Sequence, residues 1–161
     1  MTIKAGDRIP DVTFTIMGAN GPEPLKSGDY FKGRKVVLFS VPGAFTPTCH
    51  KTHLPGFVAR ADEIKARGVN AVAVVAVNDI FTLNAWLEAS NAKGKVDGLA
   101  DGSAVFAKAT GTELDLEAAG LGLRSKRYAA LIDDGVVKWI DIEDNSSCAT
   151  VSSAEVALGK L

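Results

Sequence analysis

The chain has 161 residues, 47% of them apolar, a size that suits a single domain, residues 1–161, able to build a core without staples. With 18 Lys and Arg against 19 Asp and Glu the net charge is −1. That balance leaves no basic field for a nucleic-acid backbone, and the longest apolar run, the seven residues 71–77, falls far short of the roughly 20 that a membrane-spanning helix needs. In chain order, the opening MTIKAGDRIP contains no apolar stretch that would serve as a signal-peptide core. The expected location is therefore the reducing cytosol, where two cysteines are chemical rather than structural.

Residues 12–16 read as a short strand, and the Gly, Asn and Pro cluster at 18–24 as the turn after it. KVVLFSV at 35–41 is a continuous apolar run of the kind that fills a strand covered on both faces, ended by Pro42 and Gly43. Over 49–67 the positions Leu54, Phe57, Val58, Ala61, Ile64 and Ala66 recur near helical spacing, with Gly68 at the C-cap and Pro55 expected to kink the helix. A second buried strand spans 69–77 and a second helix 81–92, whose Phe81, Leu83, Trp86 and Leu87 read as core or subunit contact. A short helix is expected at 103–109. Strands at 128–133 and 136–142 flank Asp134-Gly135, a hairpin signal, and Ser152 with Glu155 forms the S-x-x-E pattern that opens a last helix. This order predicts an α/β protein with a thioredoxin-like fold: a central mixed β-sheet with helices on both faces and right-handed crossovers between parallel strands. Fold alone does not fix function.

Chemistry concentrates in VPGAFTPTCHKTHLPGF, where a buried strand ends and a helix begins. Pro42 and Pro47 stiffen the connection, Thr46 or Thr48 offers a side-chain oxygen for the helix start, and Cys49 falls in the first turn. Unpaired N–H groups and the helix dipole there favour an anion, and a thiolate is one.

PGAFTPTC followed by HLPGF strongly resembles the peroxiredoxins, in particular the type II subfamily of small peroxiredoxins. VAVNDIFTLNAW and GLGLRSKRYAALIDDG resemble later segments of the same family, so the resemblance covers nearly the whole chain. It implies a thiol peroxidase acting on hydrogen peroxide and organic hydroperoxides. Pro42, Thr46 and Cys49 match the family's P-x-x-x-T-x-x-C spacing, and Arg127 corresponds to its distant arginine. In this reading Cys49 attacks a peroxide oxygen and becomes a sulfenic acid. Arg127 stabilises the thiolate and the leaving oxygen, Thr46 orients the peroxide, and Pro42 shields the sulfur. No cofactor is implied. The partners implied are a second copy of the chain, in contact through Ala44 and Phe45, and a thiol donor, either glutathione with glutaredoxin or thioredoxin.

Blander readings stand beside these. A Cys near an apolar strand is most often inert core, and Arg124 is the nearest rival to Arg127. Cys49, His50 and His53 invite a metal reading, but His50 is rotated by about 100° from Cys49 on a helix. His53, four residues on, would suit the base of a cysteine hydrolase but lacks an evident orienting group; its expected role is packing and hydrogen bonding. A general thiol-disulfide oxidoreductase would carry C-x-x-C, whereas Cys49 is followed by His50, Lys51 and Thr52. A redox sensor on the same fold would not need Pro42, Thr46 and Arg127 together.

The second thiol departs from both patterns of the family. Val74 stands where plant type II relatives carry a second Cys, and Val151 best matches the animal position, three residues after Cys148. Cys148 lies in a polar stretch, 144–149, expected to be a mobile loop. It is the possible resolving cysteine if that loop or the Cys49 helix start moves, since a disulfide needs Cα atoms within about 7 Å. The reading preferred from the sequence is direct reduction of the sulfenate by glutathione.

Overall fold

The computed structural model describes residues 1–161. A seven-stranded sheet runs in the order β2-β1-β5-β4-β3-β8-β9. Its strands are β1 (Thr13–Gly18), β2 (Gly21–Lys26), β3 (Lys35–Val41), β4 (Ala71–Ala76), β5 (Asp97–Ala100), β8 (Tyr128–Asp133) and β9 (Val136–Ile142). A separate two-stranded sheet pairs β6 (Glu113–Leu116) with β7 (Gly122–Ser125). The helices are α1 (Ser27–Phe31), α2 (Leu54–Ala66), α3 (Ile80–Ala89), α4 (Val105–Thr110) and α5 (Ala154–Gly159). None is long and apolar enough to cross a membrane.

The continuous apolar runs form the strands expected of them because both faces are covered. Alternation sends Val37, Phe39 and Val41 of β3 into a core with Leu54, Phe57, Trp86 and Ala157, while Val36 and Leu38 enter a second core with Phe14, Tyr30 and Phe106. β3 and β4 are parallel, as are β4 and β5, whereas β8 runs antiparallel to β3. Asp134 and Gly135 both take positive φ, 50° and 79°, which the tight β8–β9 turn demands.

Four expectations change. The 18–24 turn is shorter than expected: Gly21–Lys26 pairs with β1, and Pro22 and Pro24 are accommodated because β2 is the sheet edge. Pro55 does not simply kink one helix. Cys49–His53 forms a π turn in which the Leu54 N–H reaches back to the Cys49 carbonyl, and α2 follows, so the backbone widens just ahead of the residue that has no N–H to give. Ser153, not Ser152, caps α5, its side chain accepting from Val156 N. Neither Thr46 nor Thr48 caps the helix start through its hydroxyl, and both are used elsewhere.

Two registers position the site. Ser40 pairs with Tyr128 across β3 and β8, so Arg127 lies where β3 ends and the cysteine segment leaves it. Tyr128 pairs with Ile142 across β8 and β9, so Glu143 lies beside Arg127, and its N–H donates to the Arg127 carbonyl at 2.9 Å.

Candidate active site

The chain leaves the carboxyl end of β3 through Pro42 and Gly43, both buried. Gly43 has a reason to be glycine: a Cβ there would lie 2.8 Å from Arg124 Nη1 and 3.1 Å from Thr46 Cγ2. Phe45 then takes φ +62°, a costly conformation for a large side chain, and its loop is held by Ala44 N donating to Asn78 Oδ1 at 2.9 Å. Asn78 belongs to the VND segment; its part in bracing the loop had no sequence signal of its own. Pro47 starts the helical stretch, where a missing N–H costs nothing, and the Thr46 carbonyl accepts the first helical bond, from His50 N at 2.8 Å.

Cys49 follows in that first turn and is fully buried. Its Sγ has two donors. Thr46 Oγ1 lies 2.9 Å away and also lies 2.7 Å from the Gly43 carbonyl, so its single proton has two acceptors to serve. Arg127 Nη2 is 2.9 Å from the same sulfur. Both cysteines are free thiols, Cys148 exposed. Pro42 offers its carbonyl to Arg124 Nη1 at 3.3 Å, and Arg124 Nε donates to the Leu121 carbonyl, so this rival arginine braces the loop while Arg127 meets the sulfur.

Arg127 is 2% exposed, and each of its nitrogens has a partner. Nε donates to the Ser146 carbonyl at 3.0 Å and Nη1 to His53 Nδ1 at 2.8 Å. Because arginine only donates, His53 Nδ1 must accept, and the proton sits on Nε2, which donates to the Ser152 carbonyl at 2.8 Å. Burial, against the opposing Ser152 carbonyl and with help from the Arg127 charge, pushes His53 from 6.5 down to about 3. A neutral ring with both nitrogens engaged is no proton acceptor for Cys49 and no free metal ligand. It holds the arginine, which agrees with the expected hydrogen-bonding role.

His50 points elsewhere, accepting from Trp86 Nε1 at 3.2 Å, with the Phe45 ring 5.6 Å from its own. Of the four residues read as core or subunit contact, Leu83, Trp86 and Leu87 are buried in the core, and Phe81, 65% exposed, is not core.

The 144–149 stretch is not a free polar loop. Thr48 Oγ1 donates to the Ser147 carbonyl at 2.7 Å, Arg127 takes the Ser146 carbonyl, and Asn145 receives Ser147 N and Cys148 N. The loop that carries Cys148 is thereby tied, through Ser147 and Thr48, to the helical turn that contains Cys49. Val74 and Val151 hold no thiol; Val74 is fully buried mid-sheet, and Val151 is 42% exposed.

The Redoxin family model matches residues 4–158. "Peroxiredoxin-2E-2, chloroplastic" of Oryza sativa subsp. japonica is 46% identical over 96% of this chain and 71% of its own length. "Peroxiredoxin-2E, chloroplastic" of Arabidopsis thaliana is 41% identical over 99% of this chain and 70% of its own. Among solved structures, reduced Prx3 in complex with H2O2 from Vibrio vulnificus is 46% identical, with a TM-score of 0.94 over 99% of each chain. Both of these relatives are named chloroplastic, which overturns one expectation: the cytosolic location read from the first ten residues does not stand.

Proposed function

Since the chain belongs to the Redoxin family and, within it, to the type II peroxiredoxins, we propose that Cys49 is the thiol at which this peroxidase reduces hydrogen peroxide and organic hydroperoxides. One observation carries the assignment: a buried sulfur flanked at 2.9 Å by the Thr46 hydroxyl and at 2.9 Å by the Arg127 guanidinium. The thiolate attacks one oxygen of the O–O bond. That bond breaks, the sulfur keeps the attacked oxygen as a sulfenic acid, and the other oxygen leaves with the electron pair and takes up a proton as water or alcohol. Arg127 keeps two N–H bonds beyond those it spends on Ser146, His53 and Cys49, and its fixed charge beside the sulfur stabilises the negative charge that grows on the leaving oxygen. Pro42 and the enclosing loop keep bulk water from the sulfur.

The return to thiolate draws on a thiol and on no bound cofactor. Glutathione condenses with the sulfenic acid, releasing water and leaving a mixed disulfide, which the low-pKa thiolate of a glutaredoxin then attacks. A second reading, favoured by the Thr48–Ser147 hydrogen bond that holds the neighbouring loop against this helix, has Cys148 condense with the sulfenic acid instead and thioredoxin reduce the disulfide. Turnover with glutathione and glutaredoxin against turnover with thioredoxin, in wild type and Cys148→Ser, separates the two. Efficient glutathione turnover that survives the substitution supports the first; thioredoxin turnover abolished by it supports the second.

The proposed assembly is a homodimer. Phe45 is 49% exposed on the active-site loop beside half-buried Ala44, and covering it against a second copy would remove apolar surface from water.

A further inference from the structure

Four buried residues behind the cysteine close a ring of hydrogen bonds, through side-chain and main-chain groups, that begins and ends at Arg127. Arg127 Nη1 donates to His53 Nδ1 at 2.8 Å, and His53 Nε2 donates to the Ser152 carbonyl at 2.8 Å. Ser152 donates both its backbone N–H, at 2.8 Å, and its hydroxyl, at 2.6 Å, to one oxygen of Glu143. Glu143 N–H donates back to the Arg127 carbonyl at 2.9 Å. All four are covered: Ser152 is 0%, His53 2%, Arg127 2% and Glu143 7% exposed.

From this ring we infer that Glu143, acting through Ser152 and His53, is the positioning residue that aims the Arg127 guanidinium at Cys49. The reasoning is one of degrees of freedom. A neutral imidazole has two tautomers, and only the one with its proton on Nε2 leaves Nδ1 open to Arg127. The Ser152 carbonyl selects that tautomer, and two hydrogen bonds to a buried carboxylate fix the carbonyl. Charge-assisted hydrogen bonds in a dry setting are stronger than neutral ones, so a carboxylate makes a firmer anchor than a hydroxyl or water. Glu143 touches neither sulfur nor peroxide. Its effect falls on the orientation of the one cation that does, and misplacing such a group by an ångström is enough to slow a reaction strongly.

The inference rests on the peroxide chemistry assigned to Cys49, and its test separates the two. Reduced wild type, Glu143→Gln and Glu143→Ala are mixed with H2O2 or with iodoacetamide, and loss of the Cys49 thiol is followed by peptide mass spectrometry. Iodoacetamide needs the thiolate, which Arg127 also stabilises, but no donor aimed at a departing peroxide oxygen, so it loses less when the guanidinium is misaimed. Glu143→Ala is expected to slow the peroxide reaction by about ten- to a hundredfold while changing the iodoacetamide rate by less than about threefold. Glu143→Gln, which keeps an oxygen acceptor, should stay within about threefold of wild type on both. A peroxide rate in Glu143→Ala within threefold of wild type, or equal losses with both reagents, overturns the inference. If wild-type Cys49 itself ignores peroxide, the assignment of the thiol fails instead. Should Glu143→Ala not fold, Ser152→Ala removes one of the two anchoring bonds, and imidazole nitrogen NMR reads the outcome directly because the chain has only two histidines. His53 is expected as the single Nε2–H tautomer in wild type and as a mixture in the variant; an unchanged signal overturns the inference.

Discussion

Arg127 and Cys49 are separated by 78 residues, yet the Nη2 of one lies 2.9 Å from the Sγ of the other. The pairing of β8 with β3 delivers the arginine to the strand end from which the cysteine segment departs. Replacing Arg127 with Ala should lower kcat/KM for H2O2 by about 10²- to 10³-fold, the usual cost of losing a donor aimed at developing charge. Arg124→Ala loosens the Pro42 carbonyl without touching the sulfur and should cost about tenfold or less. Steady-state kinetics on both variants checks the ranking; the reverse order would move the catalytic role to Arg124.

Thr46 is tested by what its hydroxyl alone contributes. Thr46→Ser keeps a donor 2.9 Å from the sulfur and should remain within about threefold of wild type, whereas Thr46→Val keeps the volume and should lose about ten- to a hundredfold. Equal rates for the two would remove Thr46 from the mechanism.

His53 gives a stability signature in acid. Its native value is pushed down to about 3 from 6.5, so above 6.5 both folded and unfolded chains hold it neutral. Between 6.5 and about 3 only the unfolded chain takes up the proton, so stability is lost as the pH is lowered, at up to about 1.4 kcal/mol per unit. Urea melts between pH 7 and pH 4 should show that slope, and His53→Gln should lack this component of it. A slope identical in the two proteins would mean that His53 does not stay neutral in the fold.

Much of the frame was legible because the signal was local. The runs that became β3 and β4, the Asp134-Gly135 hairpin and the Gly68 helix end each follow from a few adjacent residues. β5 gave no such signal: it is four residues long, and Gly98 sits in it because a Cβ would come within 2.6 Å of Leu87 Cδ1. The second sheet, β6 with β7, and the single-turn α1 are likewise too short to show a period. At the site, the motif spacing and the resemblance named Thr46, Cys49 and Arg127, which the fold brings together, whereas Pro42 meets Arg124. The Ser146, Ser147 and Ser152 carbonyls were not legible, since any residue supplies a carbonyl and only the path of the chain decides what it meets.

The proposed dimer has a direct probe in Phe45, which is exposed and held at φ +62°. Phe45→Asp should shift sedimentation at micromolar concentration from dimer to monomer, because a charge would have to be buried in the contact. A wild-type monomer under the same conditions would count against the contact altogether.

The central claim is that peroxide oxidises Cys49, with Arg127 driving the step. Reduced protein treated with one equivalent of H2O2 in the presence of a cyclic 1,3-diketone that traps sulfenic acids, then digested and mapped by mass spectrometry, tests it most directly. The account predicts an adduct on the Cys49 peptide that forms within seconds in wild type, forms far more slowly in Arg127→Ala and is absent from Cys49→Ser. An adduct confined to Cys148, or peroxide consumption that persists in Cys49→Ser, would contradict it.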